Sequence, residues 1–222
     1  MIIRVHPENP EIHKIKNIAA SIKKGAVIII PTDSVYALAC DINNKKAVER
    51  ICILKGIKPS KANFSILCAD LSNLSDYTLN VSKNIFRILK KNLPGPFTFI
   101  LNANNNVPKI FDNNKKTIGI RVPDNNIAKS IINQLGNPIV VTSLNNNNDD
   151  IVGYLNDPDE IHDMFESRTD IVIDGGQGGI TPSAVVFCTK EEIEVVREGN
   201  VELIYWYNVF KIRISCNIYY KP

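Results

Sequence analysis

Five apolar residues in a row, Ala26-Val27-Ile28-Ile29-Ile30, run straight into Pro31-Thr32-Asp33-Ser34-Val35-Tyr36 and then Ala37-Leu38-Ala39-Cys40-Asp41. A short unbroken apolar run halted by proline reads as a buried β-strand, and the residues behind it as the turn that leaves it. Two hydroxyls (Thr32, Ser34), an acid (Asp33) and Tyr36 stand together in that turn. Two later segments repeat the arrangement: Thr117-Ile118-Gly119-Ile120-Arg121-Val122-Pro123 and Val140-Val141-Thr142-Ser143-Leu144-Asn145. Each sets a hydroxyl, with an Arg or an Asn, at or just beyond a β-rich run. Polar groups converging at strand ends are how open α/β sheets hold small molecules.

The remaining periodicity supplies helices between such strands. Ile12, Ile15, Ile18, Ala19 and Ile22 predict a helix over 10–24, stopped by Gly25. Further helices are expected over 43–55, 82–92, 125–135 and 158–168, and strands over 26–30, 64–68, 97–101, 116–122 and 139–142. Ile171–Asp174, Ala184–Phe187 and Ile193–Arg197 complete the strand set. Alternation of this kind predicts a mixed α/β sheet wrapped by helices. No linker or repeat divides it, so residues 5–202 are expected to form one domain. The tail 203–222 differs: it holds four of the seven tyrosines and the only Trp in rough alternation. It reads either as an added edge strand or as sequence that has drifted.

Composition narrows the function classes. With 222 residues, 44% hydrophobic and 22% charged, the chain is an ordinary soluble globular type with room for one core. A net charge of +3 permits an anionic ligand and demands neither nucleic acid nor membrane. Cys40, Cys52, Cys68, Cys188 and Cys216 contain no C-x-x-C pair, and no secretory leader precedes them, so a cytoplasmic protein with reduced thiols is expected. His6, His13 and His162 are too scattered for a metal site, and no apolar run approaches the ~20 residues of a membrane span.

Several residues carry candidate chemistry beside a plainer structural explanation. Lys55, followed by Gly56 and then Lys58 and Lys61, suits a nucleoside triphosphate, or merely complements a helix C-terminus. Arg121 can fork onto a carboxylate or serve as a salt-bridging strand arginine. Ser143 and Asn145 read as ligand contacts or as a polar turn. Gly175, Gly176, Gly178 and Gly179 around Gln177 offer backbone N–H groups to anions or form a tight turn. Asp174 either holds Mg²⁺ or caps that turn. There is no G-x-x-x-x-G-K-[ST], so an ordinary P-loop is excluded.

In order and spacing, these segments resemble the YrdC-like family of threonylcarbamoyl-AMP synthases over roughly 5–202. The resemblance implies a twisted mixed sheet around a basic concave pocket. It also implies the reaction of L-threonine, bicarbonate and ATP, with Mg²⁺ bridging phosphates, to threonylcarbamoyl-AMP and pyrophosphate. That product would serve a downstream transferase that modifies tRNA. On this pattern Thr32, Arg121 and Ser183 match L-threonine contacts, while Lys55, Thr117, Ser143, Asn145 and Arg197 match ATP contacts. No acid/base residue is implied, and no metal ligands within the protein. Three departures stand out. The arginine of the family's K-x-R falls on Ile57, with Lys58 next to it; Cys68 replaces a histidine; and Ser-Gly is missing after Asn145. Together they resemble the YciO-like branch. The alternative expectation is therefore an RNA- or nucleotide-binding protein without the synthase activity, or a scaffold whose site has decayed.

Overall fold

Successive residues of the run before Pro31 serve two different cores. Val27 and Ile29 pack into one hydrophobic cluster and Ile28 and Ile30 into another, all four fully buried. A strand packed on both faces has no polar position to spare, which is why the run shows no alternation. The computed structural model describes residues 1–108, 116–144, 154–189, 193–205 and, as backbone, 212–214.

Along the chain run β1 (Ile2–Arg4), α1 (Ile12–Lys23), β2 (Ile28–Ile30), β3 (Ala37–Asp41), α2 (Lys45–Leu54), β4 (Ser65–Leu67), α3 (Lys83–Asn92), β5 (Phe97–Asn102), β6 (Thr117–Arg121), α4 (Asn126–Leu135), β7 (Ile139–Ser143), α5 (Pro158–Phe165), β8 (Ile171–Asp174), β9 (Ala184–Phe187), β10 (Ile193–Arg197) and β11 (Ile212–Ile214). Among the described residues these strands form one sheet in the order β1-β8-β2-β3-β7-β4-β6-β5-β9-β10-β11. The sheet is mixed, as expected: β2 lies parallel to β8 and antiparallel to β3, and β5 lies parallel to β9 and antiparallel to β6.

Helices α1 and α4 pack together on one face, sending Ile15, Ile18, Ile22, Ile127 and Ile131 into the second cluster. On the other face α2, α3 and α5 contribute Val48, Ile51, Ile88, Leu89 and Ile161 to the first. Side-chain caps fix the starts of four helices: Asn44, Ser82, Asn125 and Asp157 each accept a backbone N–H of the first turn. Each is worth about 0.5–2 kcal/mol.

The site arises where α1 and α4 leave part of their face uncovered. Strands β4, β6, β5 and β9 alternate there with period two. Ile66, Ile118, Ile120, Phe97, Phe99 and Val186 turn into the first cluster. Ser65, Thr117, Gly119, Arg121, Thr98 and Val185 turn the other way and line an open cavity.

The structure corrects several boundaries. Ala37–Asp41, read as part of a turn, is the strand β3, with Ile28 opposite Ala39 and Ile30 opposite Ala37. Its five residues are all buried, so it shows no pattern by which to find it. Ile2–Arg4 is a strand, paired with β8. Helix α5 ends at Phe165 rather than 168, and the turn that follows has the N–H groups of Arg168 and Thr169 sharing the Phe165 carbonyl. In the tail, β11 pairs parallel with β10, Ile193 opposite Ile212, so this piece is an added edge strand. The other residues of 206–222 lie outside the described residues.

Candidate functional site

The cavity has a volume of about 320 Å³ and is walled by the β2–β3 turn, the cavity-facing residues of β4 to β7 and β9, and the end of β10. Thr32, Thr117, Arg121 and Ser143, anticipated from three separate stretches of sequence, line it together with Ser183 and Arg197, which the family resemblance supplied. Lys55 stands beside it, its Nζ donating to the Ser143 carbonyl at 3.2 Å. Asn145 lies outside the described residues. Among the described residues the wall contains two guanidiniums, many hydroxyls and no carboxylate.

Arg121 is buried and tied to the β2–β3 turn. Its Nη2 donates to Thr32 Oγ1 at 3.2 Å, to Ser34 Oγ at 2.8 Å and to the Asp33 carboxylate. The Thr32 hydroxyl also donates to the Val35 carbonyl at 2.8 Å and accepts the Ser34 N–H at 3.1 Å. One donor and two lone pairs are then all engaged. Thr32, expected to hold substrate, therefore shapes the turn and orients Arg121. Ser34, which the sequence reading left unassigned, lines the cavity with a hydroxyl that accepts from Arg121 and lies 3.2 Å from Thr32 Oγ1.

Across the cavity Ser183 is buried. Its hydroxyl is 2.9 Å from Thr98 Oγ1, and its carbonyl accepts Arg197 Nε at 2.9 Å. Arg197 Nη2 adds a bond to Ser183 Oγ at 3.3 Å. Water reaches Arg197, yet protein surrounds it on most sides. This burial lowers its pKa, Tyr154 opposes the shift, and the charge of Arg121 acts with the burial. Thr98 was missed by sequence reasoning. The available signal was a hydroxyl between Phe97 and Phe99, pointing away from the face those aromatics bury.

Burial likewise lowers the pKa of the Lys55 ammonium at the end of α2. The next two residues explain one departure from the family pattern. Gly56, at φ +63°, donates to the Ile53 carbonyl, and Ile57 donates to the Cys52 carbonyl at 3.0 Å. This is the double closure of a helix end that favours an apolar residue at the second position. Ile57 fills that position and packs against the core, whereas Lys58 is exposed and outside the cavity wall. Lys58 is thus not placed to replace the missing guanidinium. Cys68 is buried in the first cluster, where desolvation pushes its thiol up to about 12, so it is a neutral packing group.

Three N–H groups of the glycine segment are engaged within the protein. Gly175 N–H donates to the Tyr36 hydroxyl at 3.3 Å, Gly176 N–H to Asp174 Oδ1 at 2.9 Å, and Gly178 N–H to the Asn156 carbonyl at 2.7 Å. Asp174 also pairs with Arg4 at 3.1 Å, so it caps the turn. The fully buried Tyr36 donates to the Gly176 carbonyl at 2.7 Å. Tyr36→Phe strands both glycine groups, and a loss of about 1–3 kcal/mol is expected in urea unfolding. A loss below the fitting error would show that water replaces the hydroxyl.

A family model, Sua5/YciO/YrdC, described as telomere recombination, matches residues 20–199. YciO of Escherichia coli K12, described as uncharacterized, is 42% identical over 196 residues, 88% of this chain and 93% of its own. The crystal structure of E. coli YciO superposes with a TM-score of 0.84 at 40% identity, covering 91% of this chain and 97% of that one. A threonylcarbamoyl-AMP synthase of Halorhodospira halophila is 26% identical over 167 residues, 75% of this chain and 85% of its own. P. abyssi Sua5 complexed with L-threonine shares the fold, with a TM-score of 0.84 at 24% identity, over 96% of this chain and 62% of that longer one. Among the described residues no helix is long and apolar enough to cross a membrane. With the matched segment spanning most of the chain and the YciO likeness extending over nearly all of it, this chain belongs to the Sua5/YciO/YrdC family.

Proposed function

We propose that the chain makes threonylcarbamoyl-AMP from L-threonine, bicarbonate and ATP, releasing pyrophosphate and water. The observation that carries this reading is the convergence of Arg121, Arg197 and the hydroxyls of Thr117, Ser143 and Ser183 on one cavity without a carboxylate in its described wall. The names of the more distant relatives support it, one a threonylcarbamoyl-AMP synthase and one complexed with L-threonine.

In this reaction the threonine amine takes up the bicarbonate carbon as a carbamate, with loss of water. A carbamate oxygen then attacks the α-phosphorus, and the bond to the β-phosphate breaks, its electron pair leaving with pyrophosphate. Positioning and charge neutralisation suffice for such a displacement, so no acid/base pair is required. Arg121 meets the threonine carboxylate, with Ser183 and Ser34 beside it and Thr32 holding the turn. Lys55 and Arg197 face the phosphates, while Thr117, Ser143 and Asn145 orient the nucleotide. Among the described residues no three His, Cys, Asp or Glu side chains gather to hold a metal. In this reading Mg²⁺ arrives on ATP, as part of the substrate.

The test is pyrophosphate release by the purified protein with MgATP, bicarbonate and L-threonine. Release that requires threonine is the expected result. ATP binding with no threonine-dependent release would overturn the synthase and favour the second reading, a YciO-like nucleotide- or RNA-binding protein. The specific observation behind that second reading is Ile57, packed into the helix end where the family pattern has a guanidinium. RNA retained at about 200 mM salt would support its RNA form, since loose phosphate contacts fade steeply with salt.

A further inference from the structure

The two guanidiniums of the cavity are not electrically equivalent. Arg121 is paired with Asp33, and both side chains are only 8% exposed. Asp33 itself is not one of the residues that line the cavity. Arg197 leans on the carbonyl and hydroxyl of Ser183 and has no carboxylate partner among the described residues. A buried pair presents little net charge to its surroundings, whereas Arg197 keeps its full positive charge at the cavity wall, where water only partly screens it.

We infer that Asp33 is a positioning residue that makes the Arg121 half of the pocket charge-neutral, so that this half selects a zwitterion while the Arg197 half takes the polyanion. The inference rests on the proposed function and assigns a role to a residue that does not touch substrate. A free α-amino acid carries one carboxylate and one ammonium. Next to an uncompensated guanidinium the ammonium would be repelled, and any small carboxylate would bind in preference. With Asp33 cancelling that charge, Arg121 keeps its directional N–H groups for the carboxylate while the ammonium meets no net positive potential. Asp33 also fixes the guanidinium in place: Nη2 is shared among Thr32, Asp33 and Ser34 of a single turn. Arg121 Nε and Asp33 Oδ2 are buried without a partner, so the pair has no second protein contact at those atoms to hold it if one member is lost.

The experiment compares L-threonine with 3-hydroxybutyrate, which is threonine without its α-ammonium, by calorimetric titration of the full-length chain. The wild type is expected to prefer threonine, and Asp33→Asn to lower the ratio of the two affinities at least tenfold, mainly by weakening threonine. ATP affinity should move less than threefold. Asp33→Glu should recover part of the preference. If Asp33→Asn does not fold, the double variant Asp33→Asn/Arg121→Gln carries the test, because it removes both charges and leaves no stranded cation. Both ligands should then bind more weakly, with a preference for threonine within threefold of the wild type. A ratio unchanged in Asp33→Asn, or lost in the double variant, would overturn the inference. Wild type that binds ATP but neither small ligand would overturn the amino-acid reading, and the neutral half with it.

Discussion

Gly179→Ala is expected to cut threonine-dependent turnover by about a hundredfold or more and to destabilise the fold by about 1–3 kcal/mol. A Cβ on Gly179 would stand 2.1 Å from the Ser34 carbonyl oxygen and 3.1 Å from its carbon. Both are backbone atoms, so no rotamer change relieves the contact; the glycine segment and the β2–β3 turn must move apart. That turn carries Thr32, Asp33 and Ser34, the three acceptors of Arg121 Nη2, and a displacement near 1 Å at a reacting centre costs on the order of a hundredfold. The neighbouring Gly178 is under the same constraint, its Cβ falling 2.6 Å from Tyr36 Cδ2. Gly176→Ala is the control: nothing lies within 4 Å of its Cβ, and only the positive φ of 90° is strained. It should lose about 1 kcal/mol and keep the site. Urea unfolding and pyrophosphate release measure the two effects separately. Wild-type turnover in Gly179→Ala would mean that the turn can shift without disturbing Arg121.

These glycines also mark how far the sequence could be read. Gly175 to Gly179 announced a tight segment beside the site, and there is one. Their purpose, close approach to the β2–β3 turn, depends on Ser34 and Tyr36 lying about 140 residues earlier in the chain, and no local pattern carries that information. The strands that alternate or run apolar were legible because each residue's neighbours disclose its face. Strand β3 was not, because burial on both sides erases the alternation. Thr32, Thr117, Arg121 and Ser143 were legible as hydroxyls and an arginine at strand ends, whereas Ser183 and Arg197 were reached only through the family resemblance. Thr98 and Ser65 escaped because they sit within strands and acquire meaning only once α1 and α4 are seen to leave that face open. Thr32 was located correctly, while the saturation of its hydroxyl is a tertiary fact. Lys55 and Ile57 adjoin in sequence, yet the helix-end geometry sends one toward Ser143 and the other into the core.

Arg197→Ala is expected to lower kcat/KM for ATP by about a hundred- to a thousandfold, the range seen when a preorganised donor to developing phosphate or oxyanion charge is removed. The loss should leave stability nearly unchanged. Two bonds to Ser183, at 2.9 and 3.3 Å, disappear, which alone would cost about 1–2 kcal/mol. Against this, the variant removes a cation whose charge is, on balance, disfavoured by burial and Arg121 despite an opposing contribution from Tyr154. The two effects oppose each other, so unfolding midpoints should agree within a few degrees. Arg197→Lys separates charge from geometry. An ammonium restores the positive potential but not the planar fork that grips Ser183 and a phosphate at once, so about tenfold of the defect should remain. Steady-state pyrophosphate release at varied ATP with threonine saturating, and at varied threonine with ATP saturating, measures each variant. If alanine and lysine variants are equally impaired, geometry alone matters at this position. If neither is impaired, the phosphates lie elsewhere and Lys55 must carry the neutralisation. A defect confined to KM for threonine would place Arg197 with the amino acid instead, and the division of the cavity between a neutral and a cationic half would have to be reversed.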